Sequence, residues 1–181
     1  MVMFMDFSSA FNIMQPHLVE KHLAMSVNPV LIRWIFSFLA DRRQLVRVGQ
    51  VLSSLLATNT GAPQGCVLSP AFFVLYTADC HSKEDGNVMV KFADNSSLSG
   101  LTQEDNSSYR EAVEELTEWC DRNYLDLNVT KTKEFVINFR RAKVKLDPIV
   151  IRGQPVEIFT NFKYLGTIID NKLDWSPNIE A

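Results

Sequence analysis

Val2-Met3-Phe4-Met5-Asp6-Phe7 decides the fold: four consecutive apolar residues run straight into a carboxylate. A short apolar run of this kind reads as a buried strand, here ending in an acid. Working outward, a helical stretch follows Asp6. Asn28 and Pro29 then form a cap and first-turn pair for a second helix, whose apolar stripe is read as Leu31, Ile35, Phe38 and Leu39. Leu45 to Val48 and Leu52 to Ala57 read as short strands. Gly61 to Leu68 is a loop with two glycines, and Ser69 with Pro70 opens a helix that is apolar nearly all round and is expected to be buried.

Val88 to Phe92 reads as a strand, and Asp94 with Asn95 falls where a tight hairpin turn would precede Ser96 to Ser99. From about Asn106 to Tyr124, Tyr109, Val113, Leu116 and Cys120 recur at helical spacing among acids, the strongest helix pattern in the chain. Glu134 to Phe139, Ile149 to Ile151, Val156 to Ile158 and Tyr164 to Ile169 read as strands, with a turn at Gly153 and Gln154. Strands interleaved with helices and ending in a run of strands give an α+β class, with helices packed on one face of a mainly antiparallel sheet.

Composition narrows the classes. A chain of 181 residues with 46% hydrophobic and 22% charged residues has the makings of one globular domain, without a long disordered segment. Its apolar runs are far shorter than the roughly 18 to 20 residues of a membrane span. Met1 to Met5 lacks the basic start and cleavage pattern of a secretory signal, so an intracellular location is expected. The odd, widely spaced cysteines Cys66, Cys80 and Cys120 read as packed free thiols, and the glycosylation-type triplets at Asn95, Asn106 and Asn128 carry no weight without export. A net charge of −3 argues against a free-standing nucleic-acid binder. The basic residues are bunched, however, at Arg42, Arg43 and Arg47, at Lys131 and Lys133, and from Arg140 through Arg141 and Lys143 to Lys145.

The informative acids are Asp6 at one strand end and Asp94 at a hairpin. If neighbouring strands bring them together, their mutual repulsion calls for a cation, and hard oxygen donors favour Mg²⁺. Taken singly, each also fits a cap or a surface turn.

Three ordered motifs go further. Phe4-Met5-Asp6-Phe7-Ser8-Ser9-Ala10-Phe11 resembles motif A of the reverse transcriptases of non-LTR (LINE-type, jockey-like) retrotransposons. Gly61-Ala62-Pro63-Gln64-Gly65-Cys66-Val67-Leu68-Ser69-Pro70 resembles their motif B, and Phe92-Ala93-Asp94-Asn95 their motif C. Leu127 to Lys133 is similar to motif D, and Phe162-Lys163-Tyr164-Leu165-Gly166 to the primer-grip motif E. The resemblance implies a polymerase palm over residues 1–170, with 171–181 as the start of the region after motif E. It implies an RNA template, a DNA primer and deoxynucleoside triphosphates as partners, no membrane, and Mg²⁺ held by Asp6 and Asp94 with the Phe7 carbonyl as a further ligand. It places Phe11 under the incoming sugar, Gly61 and Gly65 where backbone approaches template and nucleotide, Gln64 at the templating region, and Lys131 near the pyrophosphate as a general acid.

The sequence also departs from that pattern. The family's motif C ends in two aspartates, and here Asp94 is followed by Asn95, which keeps one acceptor oxygen but no charge. Motif A stands at the start of the chain, so fingers and most of a thumb are expected to be absent. The resemblance with these departures implies an RNA-directed DNA polymerase fragment that is inactive as it stands. The alternatives are a catalytically silent palm remnant and a weak RNA-binding module, the latter needing exposed aromatics on the sheet with basic residues beside them.

Overall fold

A computed structural model of the chain describes residues 1–18, 21, 26–83, 85–102, 106–138 and 147–179. Its centre is a five-stranded sheet of β1 (Val2–Met5), β2 (Asn87–Phe92), β3 (Asn95–Gly100), β4 (Lys133–Phe135) and β5 (Glu157–Phe159), in the order β5-β4-β1-β3-β2. Every pairing is antiparallel except that of β5 with β4. The central strand, β1, is the apolar run that opens the chain.

The run is unbroken because both faces of β1 are covered. Met3 and Met5 point into a core shared with Phe73 and Tyr76 of α2 (Ser69–Tyr76) and Tyr109, Val113, Leu116 and Cys120 of α3 (Ser107–Arg122). Phe4 points the other way and meets Phe162 at 4.9 Å and Tyr164 at 4.6 Å between ring centroids. These rings belong to a hairpin of Asn161–Tyr164 with Thr167–Asp170. The sequence pattern runs Tyr164 to Ile169 as one strand. The structure turns at Leu165 and Gly166, both at positive φ (48° and 88°), the geometry of a tight two-residue hairpin loop.

The helix α1 (Pro29–Leu39) starts as expected, the Asn28 Oδ1 accepting from the Val30 N–H at 2.8 Å. Its buried stripe is Ile32, Ile35 and Leu39, so Leu31 faces solvent in place of Ile32. The expectation that α2 is buried all round is corrected too: Phe72, Phe73 and Tyr76 are buried, whereas Val74 is on the open side. Leu45 to Val48 and Leu52 to Ala57 resolve into two short ladders, Arg42–Gln44 with Leu56–Thr58 and Arg47–Val48 with Val51–Leu52. Between them the Val46 N–H donates to the Ser53 hydroxyl at 2.9 Å, so a side chain interrupts the ladder. The turn read at Gly153 and Gln154 falls one residue earlier, at Arg152 and Gly153.

Phe139 and the basic bunch Arg140, Arg141, Lys143 and Lys145 lie outside the described residues. No described helix is long and apolar enough to cross a membrane. Cys66, Cys80 and Cys120 are free, and Cys80 and Cys120 are buried, which pushes their thiols up to about 12.

One acid sits inside the core. Glu134 of β4 lies beside Met3 on the helix side of the sheet, is fully buried, and its Oε2 accepts from the Ile149 N–H at 3.3 Å. Burial raises its pKa, more than the Ile149 bond and the Arg110 charge lower it. The folded state therefore holds the Glu134 proton more tightly than the unfolded chain. Its contribution to stability is complete below the ordinary value of 4.5 and is lost as pH rises through the raised folded value. Glu134→Gln keeps the acceptor and removes the charge, so the wild type should lose stability relative to this variant between pH 5 and pH 8. Urea midpoints at the two pH values measure this, and equal pH dependence of the two proteins would contradict it.

Candidate active site

The strand register decides where the acids go. The β1–β3 ladder ends at Met5 opposite Ser96, so the next residue, Asp6, stands across from Asn95. The β2–β3 ladder closes at Phe92 opposite Asn95, which leaves only Ala93 and Asp94 in the turn. Asp6, Asp94 and Asn95 thus lie at the same end of the sheet. The turn is one residue earlier than the sequence suggested, and Ala93 takes a φ of 52°, a left-handed conformation that costs a non-glycine residue about 1 to 2 kcal/mol. The ladders on either side of the turn hold it there.

The third wall is the segment from Asp126 to Thr132. Phe7 forms an isolated antiparallel bridge with Leu127. Its two bonds come from the flanking residues, Ser8 N–H to Asp126 O and Asn128 N–H to Asp6 O, each 2.8 Å, so the bridge leaves the Phe7 carbonyl unengaged. The Asn128 side chain accepts from the Lys131 N–H (3.2 Å) and the Thr130 hydroxyl (2.8 Å), folding the segment into a tight turn. The turn brings Lys131 Nζ to 3.8 Å from Asp6 Oδ2. Both side chains are open to solvent, at 69% and 43%, so this is a loose surface ion pair. Lys133 is engaged elsewhere, donating to Thr130 O and to Glu157.

The glycine-containing loop packs on the helical turn Ala10–Ile13 that follows Asp6. The Gly61 N–H donates to Met14 O at 2.6 Å and the Ala62 N–H to Phe11 O at 2.7 Å. A Cβ on Gly61 would lie 2.6 to 2.7 Å from the backbone of Phe11 and Asn12. Its close approach is therefore to the protein's own backbone, a correction to the expectation that it faces template and nucleotide. Gly65, also at positive φ (73°), has nothing within 4 Å of such a Cβ and is exposed. The Gln64 Nε2 donates to Asn12 Oδ1 at 3.0 Å. Phe11 is half-buried, 5.3 Å from the Phe73 ring, so part of it serves the core and part faces out.

The donors at the sheet end are two carboxylates and the amide oxygen of Asn95, an oxygen-only set that suits a hard divalent cation. Among the described residues there is no group of three or more His, Cys, Asp or Glu that could hold a metal ion. Asp6 and Asp94 carry one charge fewer than a set of three acids would. Sequence reading missed the supporting residues Asn12, Asn128 and Thr132, the last accepting from the Asp6 N–H through its hydroxyl at 3.5 Å. Asn128 alone carried a visible signal, an Asx turn before a lysine.

Residues 1–169 match the family described as "Reverse transcriptase (RNA-dependent DNA polymerase)". The chain is 29% identical over 155 residues to the "Probable RNA-directed DNA polymerase from transposon BS" of Drosophila melanogaster, covering 80% of this chain and 17% of that protein. It is 26% identical to the "RNA-directed DNA polymerase from mobile element jockey" of Drosophila funebris, over 98% of this chain and 20% of that one. The chain thus spans a fifth or less of the length of these curated relatives. Among solved structures, a telomerase from Candida tropicalis in complex with a fragment of telomeric RNA superposes over 96% of this chain and 29% of its own, with a TM-score of 0.67 at 14% identity. A truncated apo form of that telomerase gives 0.60 at 12% identity. These two likenesses establish the fold, a polymerase palm.

Mn²⁺ titration followed by electron paramagnetic resonance tests the metal reading. Asp6→Asn should abolish binding, and Lys131→Met should tighten it by up to about fivefold, the worth of a surface ion pair. Unchanged binding in Asp6→Asn would refute the site.

Proposed function

The chain belongs to the reverse transcriptase family, in its non-LTR retrotransposon branch, and from that premise we propose that residues 1–170 are the palm of an RNA-directed DNA polymerase whose catalytic end is built on Asp6 and Asp94. The observation that carries this is the register that sets Asp6 across from Asn95 with Asp94 in the adjoining turn. Divalent cations, Mg²⁺ in the cell, would be held by the two carboxylates, with the Phe7 carbonyl as a further oxygen donor. When bound they would acidify the primer 3′-hydroxyl and neutralise charge on the leaving pyrophosphate.

The chain's own residues supply the rest. The primer 3′-hydroxyl gives up its proton to solvent, a bond forms between O3′ and the α-phosphorus of a deoxynucleoside triphosphate, and the bond from that phosphorus to pyrophosphate breaks. Lys131, beside Asp6, gives a proton or a charge to the departing pyrophosphate. The outward part of Phe11 takes the space a 2′-hydroxyl would need. Gly65 leaves its backbone open to the base pair of RNA template and incoming nucleotide, and Gln64, held by Asn12, faces the same region. The three free cysteines fit a reducing, intracellular compartment.

Asn95 is the weak point. Two carboxylates in place of three remove about a third of the charge that would balance two divalent ions, so the chain as it stands is proposed to be inactive. For the alternative of a free RNA-binding module the sheet offers Phe92 as an exposed aromatic, while Phe4 is covered by Phe162 and Tyr164.

The experiment is a chimera in which residues 1–169 replace the matching segment of the transposon BS polymerase. Primer extension on an RNA template should be near background, and Asn95→Asp should raise it by about 10²- to 10³-fold, the usual worth of one group aimed at transition-state charge. Equal activity with and without Asn95→Asp would mean that two aspartates suffice.

A further inference from the structure

We infer that Arg42 is a positioning residue for the loop from Gly61 to Gly65, clamping its first carbonyls to the end of α1 so that Gln64 and Gly65 keep their outward place; the functional half of this rests on the polymerase reading. The Arg42 Nε donates to Leu39 O at 3.0 Å, a carbonyl in the last turn of α1 that the helix itself leaves without a partner. The Nη2 donates to Thr60 O and, at 2.7 Å, to Gly61 O. One planar guanidinium thus joins a helix end to a loop, using three of its five donors on neutral carbonyls.

Gly61 is consequently held from both sides. Its carbonyl accepts from Arg42, and its N–H donates to Met14 O at 2.6 Å on the helical turn after Asp6. Only a left-handed residue turns the two groups this way, and only glycine avoids collision with Phe11 and Asn12. Among the described residues no carboxylate lies within ion-pairing distance of Arg42. Partial burial lowers its pKa, and the partners that meet its N–H groups are backbone carbonyls. A lysine has a single nitrogen and cannot reproduce the fork. The clamp transmits the position of α1 to the loop packed on the helical turn that follows Asp6.

Hydrogen exchange on the full 181-residue chain, comparing wild type with Arg42→Lys and Arg42→Gln, tests the clamp without requiring activity. In Arg42→Gln the Gly61 and Ala62 amides should exchange about tenfold faster or more, the factor that corresponds to one hydrogen bond made by a charged group. Arg42→Lys should fall between, and the amides of β1 and β3 should not change in either variant. Unchanged loop exchange, or acceleration shared equally with β1 and β3, would overturn the proposal. A fluorescent RNA–DNA template–primer with a recessed 3′ end supplies the second readout. With it bound, Arg42→Gln should weaken the complementary deoxynucleoside triphosphate about tenfold while changing duplex affinity less. Equal weakening of both would overturn the positioning role. Failure of the wild type to bind the duplex at all would overturn the functional half, leaving the clamp to be judged by exchange alone.

Discussion

Everything at the candidate site depends on the register between β1 and β3. Side chains in a strand alternate between faces, so a slip of one residue would turn Met3 and Met5 out of the helix-side core and carry Phe4 into it. The register is fixed by that burial: Met3 is opposite Leu98, and both are inaccessible to solvent. The same register that buries these residues sets Asp6 against Asn95. Packing and the placing of the acids are one constraint.

The second face of the sheet adds to this. Phe4 under Phe162 and Tyr164 pins β1 from the side away from the helices, and Thr132, fully buried, pins the segment that carries Lys131. Asp6 therefore emerges from a strand fixed on both faces while its own side chain remains partly open. Rigid backbone beneath an accessible carboxylate is the arrangement a metal-dependent site needs, since preorganised ligands lose little freedom on binding. The cost is concentrated at Ala93, whose left-handed backbone is held by the ladders on either side.

Much of this was legible in the sequence. The unbroken apolar run before Asp6 announced a buried strand ending in an acid, the spacing of Tyr109, Val113, Leu116 and Cys120 announced α3, and five motifs in order announced the palm. What was not legible was set by tertiary contact. Nothing local distinguishes Leu31 from Ile32 as the inward residue of α1, and Ala93 at positive φ contradicts local preference because two ladders fix the loop at two residues. Leu165 and Gly166 did carry a turn signal, but the apolar residues around them masked it as one strand. Gly61 looked like a ligand-facing glycine and proved to be a packing glycine, a difference that only the neighbouring backbone decides. Arg42 read as one member of a basic bunch, since sequence does not reveal which arginine meets carbonyls.

The central claim is that Asp6, Asp94 and the Asp126 to Thr132 segment converge on one cation-binding end of the sheet. Paramagnetic broadening by Mn²⁺ in the ¹⁵N-correlated spectrum of the chain tests it most directly. The account predicts that substoichiometric Mn²⁺ broadens the amides of residues 6–8, 93–95 and 127–131 together, and that Asp94→Asn removes the effect from all three segments at once. Broadening confined to one segment, or centred on residues remote from all three, would contradict it.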